Sequence, residues 1–418
     1  MMDGLLINKL DGYDKTVVCM PDKSMSVRAV LFNAYAEGKA TVKNLLLSDD
    51  VLSAVDCARR LGATVDLDGN TAVIKGAPFC GGELYCGNSG TTARLLIGLL
   101  AGLNGVFVID GDESLRDRPM RRVTDPLRAM GATIYDNDGK LPIKIVGSPL
   151  DGTEYDMPVA SAQVKSALLL AGLNAARPVT VNEPIKTRDH TENMLRDMNA
   201  RIAVNGKSVT VAPSLIYARD ITVAGDISSA AYPMCLALCV DGGRCTVKNV
   251  GINKTRTGIL DVLDDIGASV EFSNEKCGTE PVADITVKNG NKLKPFVIDG
   301  AIVPRLVDEI PVLCALACFI DGTSVVKGAR ELRVKETDRI ASTVAALRAL
   351  GADIEATDDG MIVRGGKKLS FGTVDPKLDH RIAMTAAVAG AAGGGANILH
   401  PECASVSYPH FYKEVIGV

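Results

Sequence analysis

Six stretches of the chain are apolar on nearly every face of a helix, and each is introduced by polar residues. They begin near Ser24, Thr91, Ser161, Ser228, Asp308 and Asp379, and include the runs SALLLAGLNAA, AAYPMCLALCV, IPVLCALACFI and IAMTAAVAGAAGG. A helix apolar all round is a buried one. A second series runs in phase with the first and is amphipathic: Val51, Val55 and Leu61 alternate with Asp50, Arg59 and Arg60. Its helices end in a Gly-Ala pair and pass into a strand, at Leu61-Gly62-Ala63-Thr64-Val65, Met130-Gly131-Ala132-Thr133-Ile134, Ile266-Gly267-Ala268-Ser269-Val270 and Leu350-Gly351-Ala352-Asp353-Ile354. A degenerate copy, Met198-Asn199-Ala200-Arg201-Ile202, has Asn in the Gly place, as a left-handed helix cap allows. Short β-branched segments between the helices (TAVIK, PIKIV, SVTVA, ADITV, GMIVR) read as strands. The period of roughly 70 residues is longer than a solenoid repeat and suits a βαβ-containing unit. The pattern predicts an α/β (α+β) protein of six repeats, each with one buried and one exposed helix. The simplest arrangement is two domains of three repeats, joined near Ile221 to Gly225.

Composition narrows the function. The chain has 418 residues with 47% apolar and 23% charged positions, enough for real cores and unlike a disordered or disulfide-stapled chain. A net charge of -4 gives no overall basic footprint for nucleic acid or an anionic membrane, so any polyanion site is a local pocket. The longest apolar run, Ile310 to Ile320, is too short to span a bilayer, and the amino-terminus lacks the basic head of a signal peptide, so a cytoplasmic protein is expected. The 11 Cys form no CxxC or Cys/His cluster. Cys235 with Cys239, and Cys314 with Cys318, fall inside apolar helical runs as small hydrophobes.

The polar starts of the buried helices carry the candidate chemistry. They read Pro21-Asp22-Lys23-Ser24-Met25-Ser26-Val27-Arg28, Gly87-Asn88-Ser89-Gly90-Thr91-Thr92-Ala93-Arg94, Ala160-Ser161-Ala162-Gln163-Val164-Lys165-Ser166, Gly225-Asp226-Ile227-Ser228-Ser229, Val307-Asp308-Glu309 and Asp379-His380-Arg381. Ser, Thr and Asp in these places are ordinary caps. Lys23, Arg28, Arg94 and Arg381 are not, because a cation at a helix start opposes the dipole and needs another reason to be there. Unpaired N–H groups and cations together describe sites for a strongly anionic ligand. Neither GxxxxGK[ST] nor GxGxxG occurs, so nucleotide hydrolysis and dinucleotide binding are not indicated. The segment Gly111 to Arg122 is rich in Arg and reads either as a phosphate-binding loop or as a solvated turn. In Arg333-Val334-Lys335-Glu336-Thr337-Asp338-Arg339, Thr337 or Asp338 can cap the following helix, and Lys335 beside Glu336 can tune a carboxyl for proton transfer. His380, one of 4 His, suits a proton or hydrogen-bond role.

Taken in order, DKSMSVRA, GNSGTTAR, LRDRPM, ASAQVKSALLLAGL, TRDHTENML, GDISSAAY, GINKTRTG, VDEIPVL, ELRVKETDR and DHRIAM resemble the 3-phosphoshikimate 1-carboxyvinyltransferase family over essentially the whole chain. The resemblance implies two domains of three βαβαββ-type repeats that close over an interdomain cleft. One comprises 21–223 and binds mainly shikimate 3-phosphate. The other comprises 1–20 and 224–418 and supplies Asp308, Glu336 and arginines for phosphoenolpyruvate. It implies transfer of the enolpyruvyl group of phosphoenolpyruvate to the 5-hydroxyl of shikimate 3-phosphate through a tetrahedral intermediate, with release of phosphate.

Carried over by motif, Lys23, Gly90, Arg118, Arg339 and Arg381 hold phosphoenolpyruvate. Ser24, Arg28, Ser161, Gln163 and Lys335 hold shikimate 3-phosphate, with Ala162, Thr187 and Arg188 at its phosphate. Asp308 is the expected base and Glu336 the acid; His380 assists, and Arg94 and Asp379 support from behind. No metal or cofactor, no nucleic acid or membrane, and action as a monomer are expected.

Four positions depart from the family pattern. Pro21 replaces a Gly, Ala162 a second Ser, Thr187 a frequent Ser, and Val406 a Lys, which predicts a weaker hold on phosphoenolpyruvate. Gly90 is retained where family members with Ala exclude glyphosate, so sensitivity to that inhibitor is expected. Two other readings remain: the UDP-N-acetylglucosamine enolpyruvyl transferase, whose reactive Cys has no counterpart in Gly111 to Pro119, and a nonenzymatic anion-binding protein on the same scaffold.

Overall fold

The structure, a computed structural model, describes residues 4–290 and 292–418. These fall into two compact lobes: Pro21–Val223, and the described part of Met1–Met20 together with Ala224–Val418. The helices are α1 (Lys23–Tyr35), α2 (Asp49–Arg60), α3 (Gly90–Leu100), α4 (Glu113–Arg116), α5 (Arg121–Ala129), α6 (Ala162–Gly172), α7 (His190–Asp197), α8 (Ile227–Cys239), α9 (Gly258–Asp265), α10 (Ile310–Ala317), α11 (Arg339–Ala349) and α12 (His380–Ala392).

The six apolar stretches are α1, α3, α6, α8, α10 and α12. Their burial runs almost end to end: every residue of α10 is buried, as is His380–Ala391 of α12. The amphipathic series forms α2, α5, α7, α9 and α11. Gly62, Gly131, Gly267 and Gly351 follow these helices at φ between 84 and 105°, and Asn199 does the same at 66°. The Asn substitution therefore keeps the left-handed turn that lets each helix fold back into its strand.

Among the described residues six sheets accompany the helices, five of four strands and one of three. One topology recurs. In the second repeat Gly82–Tyr85 runs parallel to Val106–Asp110 with α3 as the crossover, and Lys140–Val146 and Thr133–Asn137 complete the sheet antiparallel. Burial alternates strictly along Lys140–Val146, the period of a strand with one face inward.

Two features differ from the expectation of six self-contained repeats. The strand before α1, Asp14–Val18, lies beside Arg244–Gly251 in the fourth sheet, whereas the strand before α8, Ile221–Thr222, lies beside Lys39–Lys43 in the first. The leading strands of the first and fourth repeats are thus exchanged. The sixth repeat lacks a Gly-Ala helix. Its sheet pairs Gly372–Val374 and Ala396–Ile398 with Leu5–Ile7 from the amino-terminus, and the chain then continues as a 3₁₀ segment, Pro401–Val406, and a π turn, Tyr412–Ile416. Among the described residues no helix is long and apolar enough to cross a membrane.

Candidate active site

The buried helices begin with the caps that their sequences suggest. Asp22 accepts from the Met25 amide (2.7 Å), Ser89 from Thr92 (3.3 Å), Ser161 from Val164 (3.5 Å), Asp226 from Ser228 (2.9 Å) and Asp379 from Arg381 (2.9 Å). The exception is α10. No side chain caps it, Pro311 occupies its first turn, and Asp308 just ahead of it points to Arg339 instead. The N-cap of α10, Glu309, makes no side-chain capping bond, a contact worth about 1 kcal/mol.

In the lobe Pro21–Val223 the candidate residues gather at the starts of α1, α3 and α6. Lys23 pairs with Asp50 of α2 at 2.9 Å. Arg94 donates to Gln163 Oε1, and Gln163 returns a bond to Thr91 Oγ1 at 3.0 Å. Arg118 lies nearly buried and donates to Asn88 Oδ1 at 2.6 Å. A Cβ built on Gly90 would stand 3.0 Å from Arg94 Nη1 and 3.1 Å from Arg118 Nη1, so this glycine leaves room for two guanidinium tips. The Arg-rich segment is therefore of two kinds. Arg116 and Arg121 pair with Asp110 and Asp138 at the surface, and Arg118 turns in toward Gly90.

Arg28 is buried. It donates to Thr191 Oγ1 (2.8 Å), Ser166 Oγ (3.1 Å) and the Ser24 carbonyl (3.0 Å), tying α1 to α6 and α7. Ser24 is half-buried on the first turn of α1. Pro21, the residue that replaces a family Gly, does not disturb the Asp22 cap. Ala162 opens α6 and offers no hydroxyl. Thr187 is buried, and both its N–H (3.0 Å) and its hydroxyl donate to Glu183 Oε1; Arg188, next to it, is half-buried.

In the other lobe Arg339 is the hub. Its guanidinium is 1% exposed and meets three carboxylates: Asp379 Oδ2 at 2.9 Å, Asp308 Oδ1 at 3.1 Å and Glu336 Oε2 at 2.5 Å. Burial alone would lower the pKa of Arg339, but Asp379, Glu336 and Asp308 reverse this and raise it. Arg381 is also raised: burial works against its charge, and Tyr232, Asp308, Asp226 and Glu309 outweigh it. Lys335 goes the other way, because its desolvation exceeds the pull of Asp308, Glu331 and Glu336, helped by repulsion from Arg339. Asp338, rather than Thr337, caps α11. Asp308, Glu336, Asp379, Lys335, Arg339 and Arg381 thus form one electrostatic cluster. His380 is buried on the first turn of α12, and Val406 ends the 3₁₀ segment half-buried.

Several buried charges escaped the sequence reading. Arg256, from GINKTRTG, donates to Asp226 Oδ1 and to Ser228 Oγ, both at 2.9 Å, and Ser228 donates in turn to Glu309. Lys165 pairs with Glu183 and Glu192 inside the first lobe. A charged residue within an apolar helical run was the visible signal for Lys165; its partners lie on other elements. Among the described residues no cluster of His, Cys, Asp or Glu is arranged to hold a metal.

The fold is that of the enolpyruvyl transferases. The enolpyruvyl transferase NikO from Streptomyces tendae superposes with a TM-score of 0.79 over 100% of this chain and 97% of its own, at 20% identity, a level that speaks for the fold alone. Within that class the likeness is specific. The chain matches the family described as EPSP synthase (3-phosphoshikimate 1-carboxyvinyltransferase) over residues 7–415, and it belongs to that family. It is 46% identical over 421 residues to the 3-phosphoshikimate 1-carboxyvinyltransferase of Shouchella clausii (strain KSM-K16), covering 98% of both chains. It is 49% identical over 412 residues to that of Synechococcus sp. (strain RCC307), covering 94% of both. The solved EPSP synthase from Acinetobacter baumannii is 37% identical, with a TM-score of 0.86 over 98% of this chain and 96% of that one.

Proposed function

We propose that the clustered residues divide the family reaction as follows. The enzyme moves the enolpyruvyl group of phosphoenolpyruvate to the 5-hydroxyl of shikimate 3-phosphate and releases phosphate. Both substrates are anions, which accounts for buried cations in an acidic protein. Asp308 takes the proton of the 5-hydroxyl as its oxygen bonds to C2 of phosphoenolpyruvate, and Glu336 gives a proton to C3, closing the tetrahedral intermediate. Glu336 then recovers a proton from the new methyl group, the C2–C3 double bond re-forms, and the C2–O bond to phosphate breaks.

Lys23, Arg118, Arg339 and Arg381 hold the phosphate and carboxylate of phosphoenolpyruvate, with Gly90 leaving them room. Ser24, Arg28, Ser161, Gln163, Lys335 and Arg188 hold shikimate 3-phosphate. Ala162 and Thr187 border its phosphate, and Thr187 contributes a donor only by turning its hydroxyl away from Glu183. His380 stands behind the phosphoenolpyruvate site. The scheme needs charge stabilisation and general acid–base groups, which these residues supply. It includes a cytoplasmic monomer working without metal or cofactor.

The observation that carries this reading is Arg339, which gathers the base, the acid and Asp379 on one buried guanidinium. Those carboxylates occupy the donors that an anionic substrate would take. Binding of phosphoenolpyruvate therefore has to release Glu336 or Asp308 from Arg339, which couples substrate arrival to readiness of the acid and base. Phosphate release from phosphoenolpyruvate, with shikimate 3-phosphate or UDP-N-acetylglucosamine as acceptor and an Asp308→Ala control, tests the assignment. Release with shikimate 3-phosphate only, lost in the control, supports it. Release with the sugar nucleotide only refutes it.

A further inference from the structure

Helix α6 reads AQVKSALLLAG, and Lys165 is its one charged residue. The side chain has no exposure at all. An ammonium buried in an apolar helix survives only with close partners, and Lys165 has two: Glu183 Oε2 at 3.0 Å and Glu192 Oε1 at 2.6 Å, themselves 1% and 2% exposed. These acids bracket one loop. Glu183 follows the strand Val179–Asn182, and Glu192 lies in the first turn of α7, so the loop carrying Thr187 and Arg188 is held at both ends by a single ammonium. Through Glu183 the same ammonium also reaches the middle, because Glu183 Oε1 accepts both the amide and the hydroxyl of Thr187. The first turn of α7 is fixed again by Thr191, which meets Arg28 Nε at 2.8 Å and Ser166 Oγ at 2.7 Å.

All three side chains are 2% exposed or less, and the reaction scheme leaves all three unused. Apolar residues of similar volume would hold the fold as well as a buried ion cluster does, or better. What the cluster adds is direction, since a carboxylate pinned by an ammonium on one oxygen presents the other at a fixed place. We infer that Lys165 is a positioning residue for the 3-phosphate of shikimate 3-phosphate: acting through Glu183, it sets Thr187 and the adjacent Arg188. The inference rests on the proposed function, in which that loop meets the phosphate.

The test is Glu183→Gln, which keeps size and shape. A glutamine has an acceptor at one end and donors at the other, so either Lys165 or Thr187 must face a donor, and the clip is broken without a cavity. The expected result is a KM for shikimate 3-phosphate raised about tenfold, with the KM for phosphoenolpyruvate within about twofold of the parent. Rescue should come from Lys165→Met in the same chain. With the ammonium gone, the introduced glutamine turns its carbonyl to Thr187, and Glu192, whose carboxyl burial already pushes toward the protonated form, can stay neutral. Adding Thr187→Val to Glu183→Gln should cause no further loss, because both changes cut one connection.

An unchanged KM for shikimate 3-phosphate, an equal rise in both KM values, or fully additive losses overturn the inference, and thermal melts of each variant separate these from loss of folding. If the parent enzyme turns over normally while Glu183→Gln is silent, only the clip is refuted. A parent that does not use shikimate 3-phosphate refutes the proposed function as well.

Discussion

Gly90→Ala isolates one consequence of the geometry. The new methyl carbon would stand 3.0 Å from Arg94 Nη1, 3.1 Å from Arg118 Nη1 and 3.6 Å from Leu115 Cδ1. The leucine contact is ordinary; the two guanidinium contacts are short by roughly 0.3 to 0.4 Å against normal van der Waals separation. The tips must retreat, and each is already committed, Arg94 to Gln163 and Arg118 to Asn88. Gly90 is the first residue of α3 with no left-handed backbone requirement, so alanine suits the fold and the melting temperature should hold or rise slightly. The loss falls on ligand. Partial displacement of one charge-assisted hydrogen bond costs roughly 1 to 2 kcal/mol, or about 5- to 30-fold in the KM for phosphoenolpyruvate. Steady-state kinetics and a thermal melt on the same preparation measure both. The parent enzyme should be inhibited by glyphosate with a constant near its KM for phosphoenolpyruvate, and Gly90→Ala should raise that constant further than it raises the KM. An unchanged KM, or a drop in stability with normal kinetics, would show that Arg94 and Arg118 are not held where the reasoning needs them. A glyphosate constant far above the parent's KM would refute the inhibitor expectation by itself.

Asp308→Asn keeps the shape of the expected base and removes its proton affinity; kcat should fall about 10²- to 10⁴-fold with the fold intact by circular dichroism. Because burial lowers the pKa of Lys335, affinity for shikimate 3-phosphate should fade as pH rises through that lowered value, below the ordinary lysine range. Lys335→Arg, which does not titrate there, should move this alkaline limb upward, and an unmoved limb would assign the titration to another group. Val406→Lys should lower the KM for phosphoenolpyruvate by about fivefold if a cation belongs at that position, the order of one modest ionic contact; no change would remove Val406 from the argument. Arg256→Met strips the buried partner of Asp226 and should cost about 3 to 5 kcal/mol of stability in a denaturant melt, with a null result showing that the pair is dispensable.

The fold was readable where its determinants are local. A helix apolar on all faces has to be covered on all faces, which is why α8, α10 and α12 could be identified as buried from composition alone. Asn199 kept its turn because backbone preference is also local. The exchange of Asp14–Val18 and Ile221–Thr222 between sheets was not readable, since both strands have acceptable patterns and only distant pairing decides which edge each one joins. The sixth repeat failed for the same reason. Leu5–Ile7 meets Ala396–Ile398 from the far end of the chain, and no local signal announces that partner.

The site divides along a similar line. The polar helix starts pointed to Lys23, Gly90, Arg94, Asp308, Arg339 and Arg381, but their partners come from other elements: Asp50 for Lys23, Gln163 for Arg94, and three separate acids for Arg339. The start of α10 shows the same distinction. By local preference Asp308 or Glu309 should cap that helix, as Asp226 and Asp379 cap α8 and α12. Instead Asp308 goes to Arg339 and Glu309 takes the Ser228 hydroxyl, so α10 starts at Ile310, with Pro311 in its first turn and no side-chain cap. A short-range rule is broken at one helix of six, where the N-cap position, Glu309, makes no capping bond. Asp308 is held by a guanidinium from α11 and Glu309 by a hydroxyl from α8, so tertiary partners override the local cap at this one helix start.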